Sequence, residues 1–263
     1  MEEIELLAID IETTGLDPRD HRICEFGAVK FNSLGEIIDT FSILVNPGRS
    51  IPFPAYKVHG IKAEMVENAP TPREGWDQLL EWAGSINPFV SHNASFECGF
   101  IQALYKSNED KPNFKIYDTL KLSRRQLKDE SSYKLEKLIP SLAGKGHRAL
   151  PDAEACAELF LKIAKTYKSN RIPKTNEKDF WAIDYFEENK PSNKQLSYIE
   201  SLGGDQGLPK TKMEASEYID ELKGLKESAE REANRPLKES SGSGMVMFAA
   251  IILTIVVVAY FVG

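Results

Sequence analysis

Cysteine is scarce in this chain. Its three copies, Cys24, Cys98 and Cys156, lie far apart and form no CxxC pair. That excludes a disulfide framework and a zinc knuckle. Basic residues are not in excess either: 33 Lys and Arg stand against 40 Asp and Glu, a formal net charge of −7. A surface coated in positive charge is thereby excluded, but a local basic groove is not, since steering depends on where charge sits. The N-terminus, MEEIELLAIDIE, has no basic region ahead of an apolar stretch, so no secretory signal is expected and the body should occupy the reducing cytosol. What is present is 263 residues, 41% hydrophobic and 28% charged, the balance of a globular protein with a core. The length allows one catalytic domain with appendages, or two small domains.

Residues 1–168 alternate strand-like and helix-like patterns. Apolar runs at Ile4–Ile11, Ile23–Phe31 and Ile37–Val45 predict three strands at hairpin-like spacing, the third broken by Pro47 and Gly48. Thr71 and Pro72 open a predicted helix, Phe89-Val90 and Ile116-Tyr117 read as short strands, and Ala94–Tyr105 reads as a helix. Further helical segments are expected near 118–127, 132–139 and 152–167, which together imply an α/β sheet of mixed direction. Residues 169–190 read as a linker with a short amphipathic helix. Residues 191–225 read as a helical hairpin, with capping boxes at Ser192/Gln195 and Thr211/Glu214. Residues 226–244 form an expected tether, and 245–263 an expected transmembrane helix. The uncharged run Met245–Val262 would span about 27 Å against a bilayer core of about 30 Å. Basic residues upstream of it predict a cytoplasmic catalytic body on a single-pass C-terminal anchor.

The chemistry begins at Asp10-Ile11-Glu12. In extended chain, residues i and i+2 point to one side, so both carboxylates project together from the end of an apolar strand. Such a pair is costly without a cation between its members, and a hard divalent ion is the natural occupant. Gly15 follows and permits a tight turn beside the acids. Downstream, HNASFE places Glu97 in the first turn of a helix, and HRALPD places His147 five residues ahead of Asp152 at another helix start.

With these in order, IDIETTGL, HNASFE and HRALPDAE resemble the three motifs of the DEDDh exonucleases. That family includes the epsilon proofreading subunit of bacterial DNA polymerase III, RNase T and oligoribonuclease. KVHGI at Lys57–Ile61 adds to the likeness, which spans about residues 4–167. The resemblance implies a ribonuclease-H-like fold with a mixed five-stranded sheet flanked by helices. It implies metal ligation by Asp10, Glu12 and Asp152, and a general base at His147. Contacts to the terminal nucleotide would come from His59 and from backbone near Thr13 and Thr14. Two ions, Mg²⁺ or Mn²⁺, would activate water and stabilise the leaving 3′ oxygen.

Two departures stand out. Where the family has aspartate in its second motif this chain has Glu97, the position that usually helps the second ion through water. Pro54 stands near where some epsilon-like members have an acidic substrate contact. The basic residues from Lys121 to Arg148, among them Arg124, Arg125, Lys128, Lys134, Lys137 and Lys145, are either a phosphate groove or ordinary helix-surface charge. His21 reads as incidental, and His92 with Asn93 as shaping a turn. The expected activity is 3′→5′ hydrolysis of single-stranded DNA ends to nucleoside 5′-monophosphates. The alternatives are an exoribonuclease, or a weakly catalytic nucleic-acid-binding module tethered to the membrane.

Overall fold

The structure is a computed structural model that describes residues 4–105, 114–140, 147–167, 176–177, 180–184, 190–207, 209 and 212–233. The chain divides into two compact units between Lys190 and Pro191.

The first unit is built on β1 (Glu5–Thr13), β2 (Ile23–Asn32) and β3 (Ile37–Leu44), an antiparallel meander. Two short strands extend the sheet in parallel, β4 (Phe89–Ser91) beside β1 and β5 (Lys115–Asp118) beside β4. This is the expected mixed five-stranded sheet of ribonuclease-H type. A sixth strand of two residues, Ile183–Asp184, pairs antiparallel with β5 and gives the order β3-β2-β1-β4-β5 followed by this edge strand. It falls in the segment expected to be a linker. No helix appears there among the described residues; instead Asn176–Glu177 and Phe180–Trp181 pair as a small antiparallel ladder.

Both faces of the sheet are covered, and β1 shows why. Leu7, Ile9 and Ile11 alternate onto one face, with Trp76, Leu79 and Phe100 from α3 (Pro72–Ala83) and α4 (Ala94–Gln102) in the same cluster. Leu6 and Ala8 alternate onto the other, in a cluster with Cys156, Leu159, Phe160 and Ile163. Those four belong to the helix Ala149–Tyr167, which follows the short helices α5 (Thr119–Gln126) and α6 (Leu135–Leu138) and is numbered α7. Continued along β1, the second row puts Asp10 and Glu12 on the face that α7 covers.

The sequence pattern missed α1 (Phe53–His59) and α2 (Ala63–Val66). Their apolar residues Phe53, Val58 and Met65 point outward, so no buried stripe marks them. Pro54 lies in the first turn of α1, where a missing N–H costs nothing, and Gly60 ends the helix in the left-handed region.

The second unit is a hairpin of α8 (Asn193–Ser201) and α9 (Lys212–Ala233). The Ser192/Gln195 capping box forms, and Gln195 also donates to the Lys212 carbonyl at 2.9 Å. Thr211, half of the other expected box, lies outside the described residues. Ile199, Ala215 and Ile219 make the small core. Helix α9 runs to Ala233, into the expected tether.

The expected membrane anchor requires correction. No helix among the described residues is long and apolar enough to cross a membrane. The two longest, α7 and α9, are charged along their length, α9 with Glu214, Glu217, Asp220 and Glu221 in its first half. The run expected to form the span, 245–263, lies outside the described residues.

Candidate active site

Three carboxylates meet where β1 passes under the start of α7. One oxygen from each of Asp10, Glu12 and Asp152 lies within 4.8 Å of the others. Strand alternation supplies the first two, and the first turn of α7 supplies the third. The close approach depends on Gly27, the residue of β2 paired with Asp10. A Cβ there would overlap the backbone of Ala149 and Leu150, so only glycine lets α7 begin this near the sheet.

Crowding of like charge in a partly dry place sets the protonation chemistry. Burial, then the charges of Glu97, Glu12 and Asp152, hold Asp10 well above the usual carboxylate range. Burial and Asp152 push Glu12 up to about 8. Asp152 is raised by burial, an effect opposed by His147. The His147 Nδ1 is 3.5 Å from the Asp152 Oδ2, with the ring half exposed. The site therefore prefers either protons or a cation.

Glu97 stands outside this trio but within its field. It is 2% exposed in the first turn of α4, its Oε2 has no hydrogen-bond partner, and burial pushes it up to about 8. An all-oxygen donor set with an unpartnered buried carboxylate oxygen suits a hard divalent ion, and Asp10, Glu12 and Asp152 fit that ligand set.

The neighbouring residues behave unevenly against expectation. Thr13 and Thr14 are buried, and the Thr14 hydroxyl accepts from the Arg22 N–H at 3.0 Å and meets the His21 Nδ1 at 3.2 Å. His21 also fills the space a side chain on Gly15 would need. This histidine, which reads as incidental in the sequence, braces the turn behind the acids. His59 is buried, its Nδ1 accepting from the Ile61 N–H at 2.9 Å and its Nε2 3.9 Å from the Cys24 sulfur. Burial lowers its pKa, so the ring is held neutral. His92, expected only to shape its turn, reaches further, joining the Thr119 hydroxyl at 2.9 Å and the Tyr133 carbonyl at 3.0 Å. Asn93 takes the left-handed conformation, and its N–H donates to Asp118.

An open cleft of about 630 Å³ adjoins the trio, and Arg124, Tyr133 and Lys134 line it with Asp10, His147 and Asp152. Of the expected basic stretch, Lys145 lies outside the described residues. Arg148 does not line this cleft. Its guanidinium grips Glu25 through Nε at 2.9 Å and Nη2 at 2.5 Å, and the same carboxylate accepts from the Ala149 N–H at 3.1 Å. Glu25, 1% exposed on β2, went unread because its partner is 123 residues away. Asp118 was missed too; it caps α5 by accepting from the Leu120 and Lys121 N–H groups.

Comparison with known proteins narrows the family. The PolC-type DNA polymerase III of Caldanaerobacter subterraneus subsp. tengcongensis is 38% identical over 181 residues, 66% of this chain and 13% of that protein. The PolC-type polymerase of Bacillus subtilis is 31% identical over 210 residues, 77% of this chain and 14% of that one. The chain thus spans about an eighth of the length of these relatives. Among solved structures, the nuclease domain of 3′hExo, a DEDDh family member bound to rAMP, superposes with a TM-score of 0.54 at 20% identity, covering 65% of this chain and 96% of that one, a likeness of fold. The recognition of an epsilon-like chain with a membrane tail is accordingly corrected: its relatives are PolC-type polymerases, and no helix among the described residues is long and apolar enough to cross a membrane. Residues 7–160 match the family described as Exonuclease, and the chain belongs to that exonuclease family.

Proposed function

We propose that the chain is a divalent-metal-dependent 3′→5′ exonuclease that shortens DNA from its 3′ end and releases nucleoside 5′-monophosphates. The observation behind this is the Asp10, Glu12 and Asp152 oxygens within 4.8 Å of one another, with His147 3.5 Å from Asp152. The polymerase relatives, named for DNA synthesis, favour DNA over RNA as the substrate.

Asp10, Glu12 and Asp152 would hold the ions, Mg²⁺ or Mn²⁺, and Glu97 would add its charge to theirs. When bound, two such ions lower the pKa of the attacking water and stabilise the leaving oxygen. His147 takes the proton of that water. With Nδ1 turned towards Asp152, its other ring nitrogen is the acceptor. Thr13, Thr14 and His59 form the wall beside the last nucleotide, acting through backbone and shape since their polar groups are largely engaged internally. Arg124 and Lys134 meet the phosphate backbone along the cleft.

The test uses DNA and RNA oligomers labelled at the 5′ or the 3′ end, with Mn²⁺ or with chelator. The 3′ label should leave first, as a mononucleotide, while the 5′ label passes down a ladder, and chelator should stop both. Internal cuts, release from the 5′ end, or hydrolysis that survives chelation would each overturn the reading.

A further inference from the structure

We infer that Glu25 and Arg148 form a positioning pair for the reaction, fixing His147 and Asp152 against the carboxylates of β1. The inference rests on the exonuclease reading above and assigns the pair a role within it.

Glu25 lies directly opposite Glu12 across the β1–β2 ladder, so its carboxylate enters the same face of the sheet. A further buried acid beside Asp10, Glu12 and Asp152 would worsen the repulsion there if it had no partner. It has two partners, both from the start of α7. The Arg148 guanidinium takes both of its oxygens, and the Ala149 N–H donates to Oε2. The Arg148 carbonyl in turn accepts the Asp152 N–H at 3.1 Å. A connected path therefore runs from β2 through one carboxylate to the first turn of α7, which presents Asp152. The residue immediately before Arg148 is His147. Held this way, the base and the third ligand are registered against Asp10 and Glu12 from one fixed point. A fork geometry matters for this: guanidinium and carboxylate fix orientation as well as distance, whereas an ammonium supplies only charge.

Mere structural support and positioning make different predictions for the intact chain. Three proteins decide: wild type, Arg148→Lys, and the double variant Glu25→Gln with Arg148→Gln, which leaves no buried charge unpaired. Each is titrated with Mn²⁺ alone, following free Mn²⁺ by electron paramagnetic resonance, then assayed on a 5′-labelled single-stranded DNA oligomer and melted by circular dichroism. In the double variant Mn²⁺ binding should weaken about 10-fold and kcat fall about 100-fold, with KM within about 2-fold of wild type. Arg148→Lys should keep most Mn²⁺ binding and lose about 10-fold in kcat, because charge returns without the fork.

A folded double variant with wild-type Mn²⁺ binding and kcat would overturn the inference. So would a raised KM at constant kcat, which would mark Arg148 as a phosphate contact. Should the double variant melt below the assay temperature, Arg148→Lys decides, and a wild-type kcat there is equally fatal. A wild-type protein that neither binds Mn²⁺ nor hydrolyses DNA would sink the exonuclease reading and this inference with it. Mn²⁺ binding that is present in wild type and indifferent to both substitutions would sink the inference alone.

Discussion

Glu25 and Glu97 are both buried glutamates bordering one acidic centre, yet their surroundings are opposite. Glu25 is saturated: a guanidinium and a backbone N–H occupy its oxygens. Glu97 keeps one oxygen with no hydrogen-bond partner, the buried Ser91 hydroxyl is in the same position, and the Asp118 Oδ2 has only the Lys121 ammonium, 3.8 Å away. An acid whose charge is answered from within the chain is scaffolding, because folding alone completes it. An acid left unanswered at nine-tenths burial or more is waiting for something from outside, a proton or a cation. The β1–β2 end of the site is thus built by the protein, and the α4 end is finished by its ligand.

The largest effect should come from breaking what the two ends share. Asp10→Asn removes a ligand while keeping its size, and activity on DNA oligomers should drop to background. At the same time the metal-free protein should melt higher than wild type, because the most crowded charge has gone. Retained Mn²⁺-dependent hydrolysis in this variant would remove Asp10 from the site.

Next comes the backbone contact at the β1–β2 end. Gly27→Ala forces a methyl into the Ala149–Leu150 backbone and pushes the start of α7 off the sheet. Overpacking of this kind should cost about 1–3 kcal/mol of stability. A displacement near 1 Å of Asp152 and His147 should cost about 100-fold in kcat. An alanine variant of unchanged activity would show that α7 can shift without disturbing the trio.

The pH dependence sharpens the same contrast. Asp10, Glu12, Asp152 and Glu97 all have folded pKa values above their unfolded ones, with Glu12 and Glu97 raised to about 8. A carboxyl group shifted upward contributes its stability below its unfolded pKa, and loses it as pH rises through the folded value. The metal-free melting temperature should therefore fall from about pH 5 to about pH 8, and Mn²⁺ should restore it most at the upper end, where protons no longer compete. A metal-free melting curve that stays flat or climbs across that window contradicts the uncompensated cluster.

Which of these features could be read from sequence follows from how local each one is. Asp10 and Glu12 were legible because strand alternation acts over two residues, and His147 with Asp152 because helix start and spacing act over five. The five-strand mixed sheet was legible for the same reason, its strands being apolar runs with turn residues between them. The added edge strand Ile183–Asp184 is two residues long and has no period to detect. Helix α1 turns Phe53 and Val58 to solvent, which hides it from any search for a buried stripe. The Glu25–Arg148 pair and the Gly27 contact join residues more than a hundred positions apart. In the sequence, Arg148 looked like one more cation in a basic run.

The smallest effect, and the finest test of the contrast, is at Glu97. Its side chain is one methylene longer than the aspartate usual at this position, and its Oε2 has no hydrogen-bond partner among the described residues. If the bound ions are what complete it, charge at this position should matter more than length. Glu97→Gln keeps the length and removes the charge. Its Mn²⁺ affinity should weaken about 10-fold, the usual cost of losing an outer-shell partner. The metal-free protein should melt slightly higher than wild type, since the raised pKa marks a charge that costs stability when bare. Glu97→Asp keeps the charge and shortens the arm, and its affinity should stay within about 3-fold of wild type, a smaller change than deletion of the charge. Mn²⁺ titration of the three proteins, each with a metal-free melt, orders them directly. An aspartate variant weaker than the glutamine variant would mean that reach, not charge, is what Glu97 supplies. In that case the unpartnered oxygen reflects the packing of α4 and not a place kept for a cation.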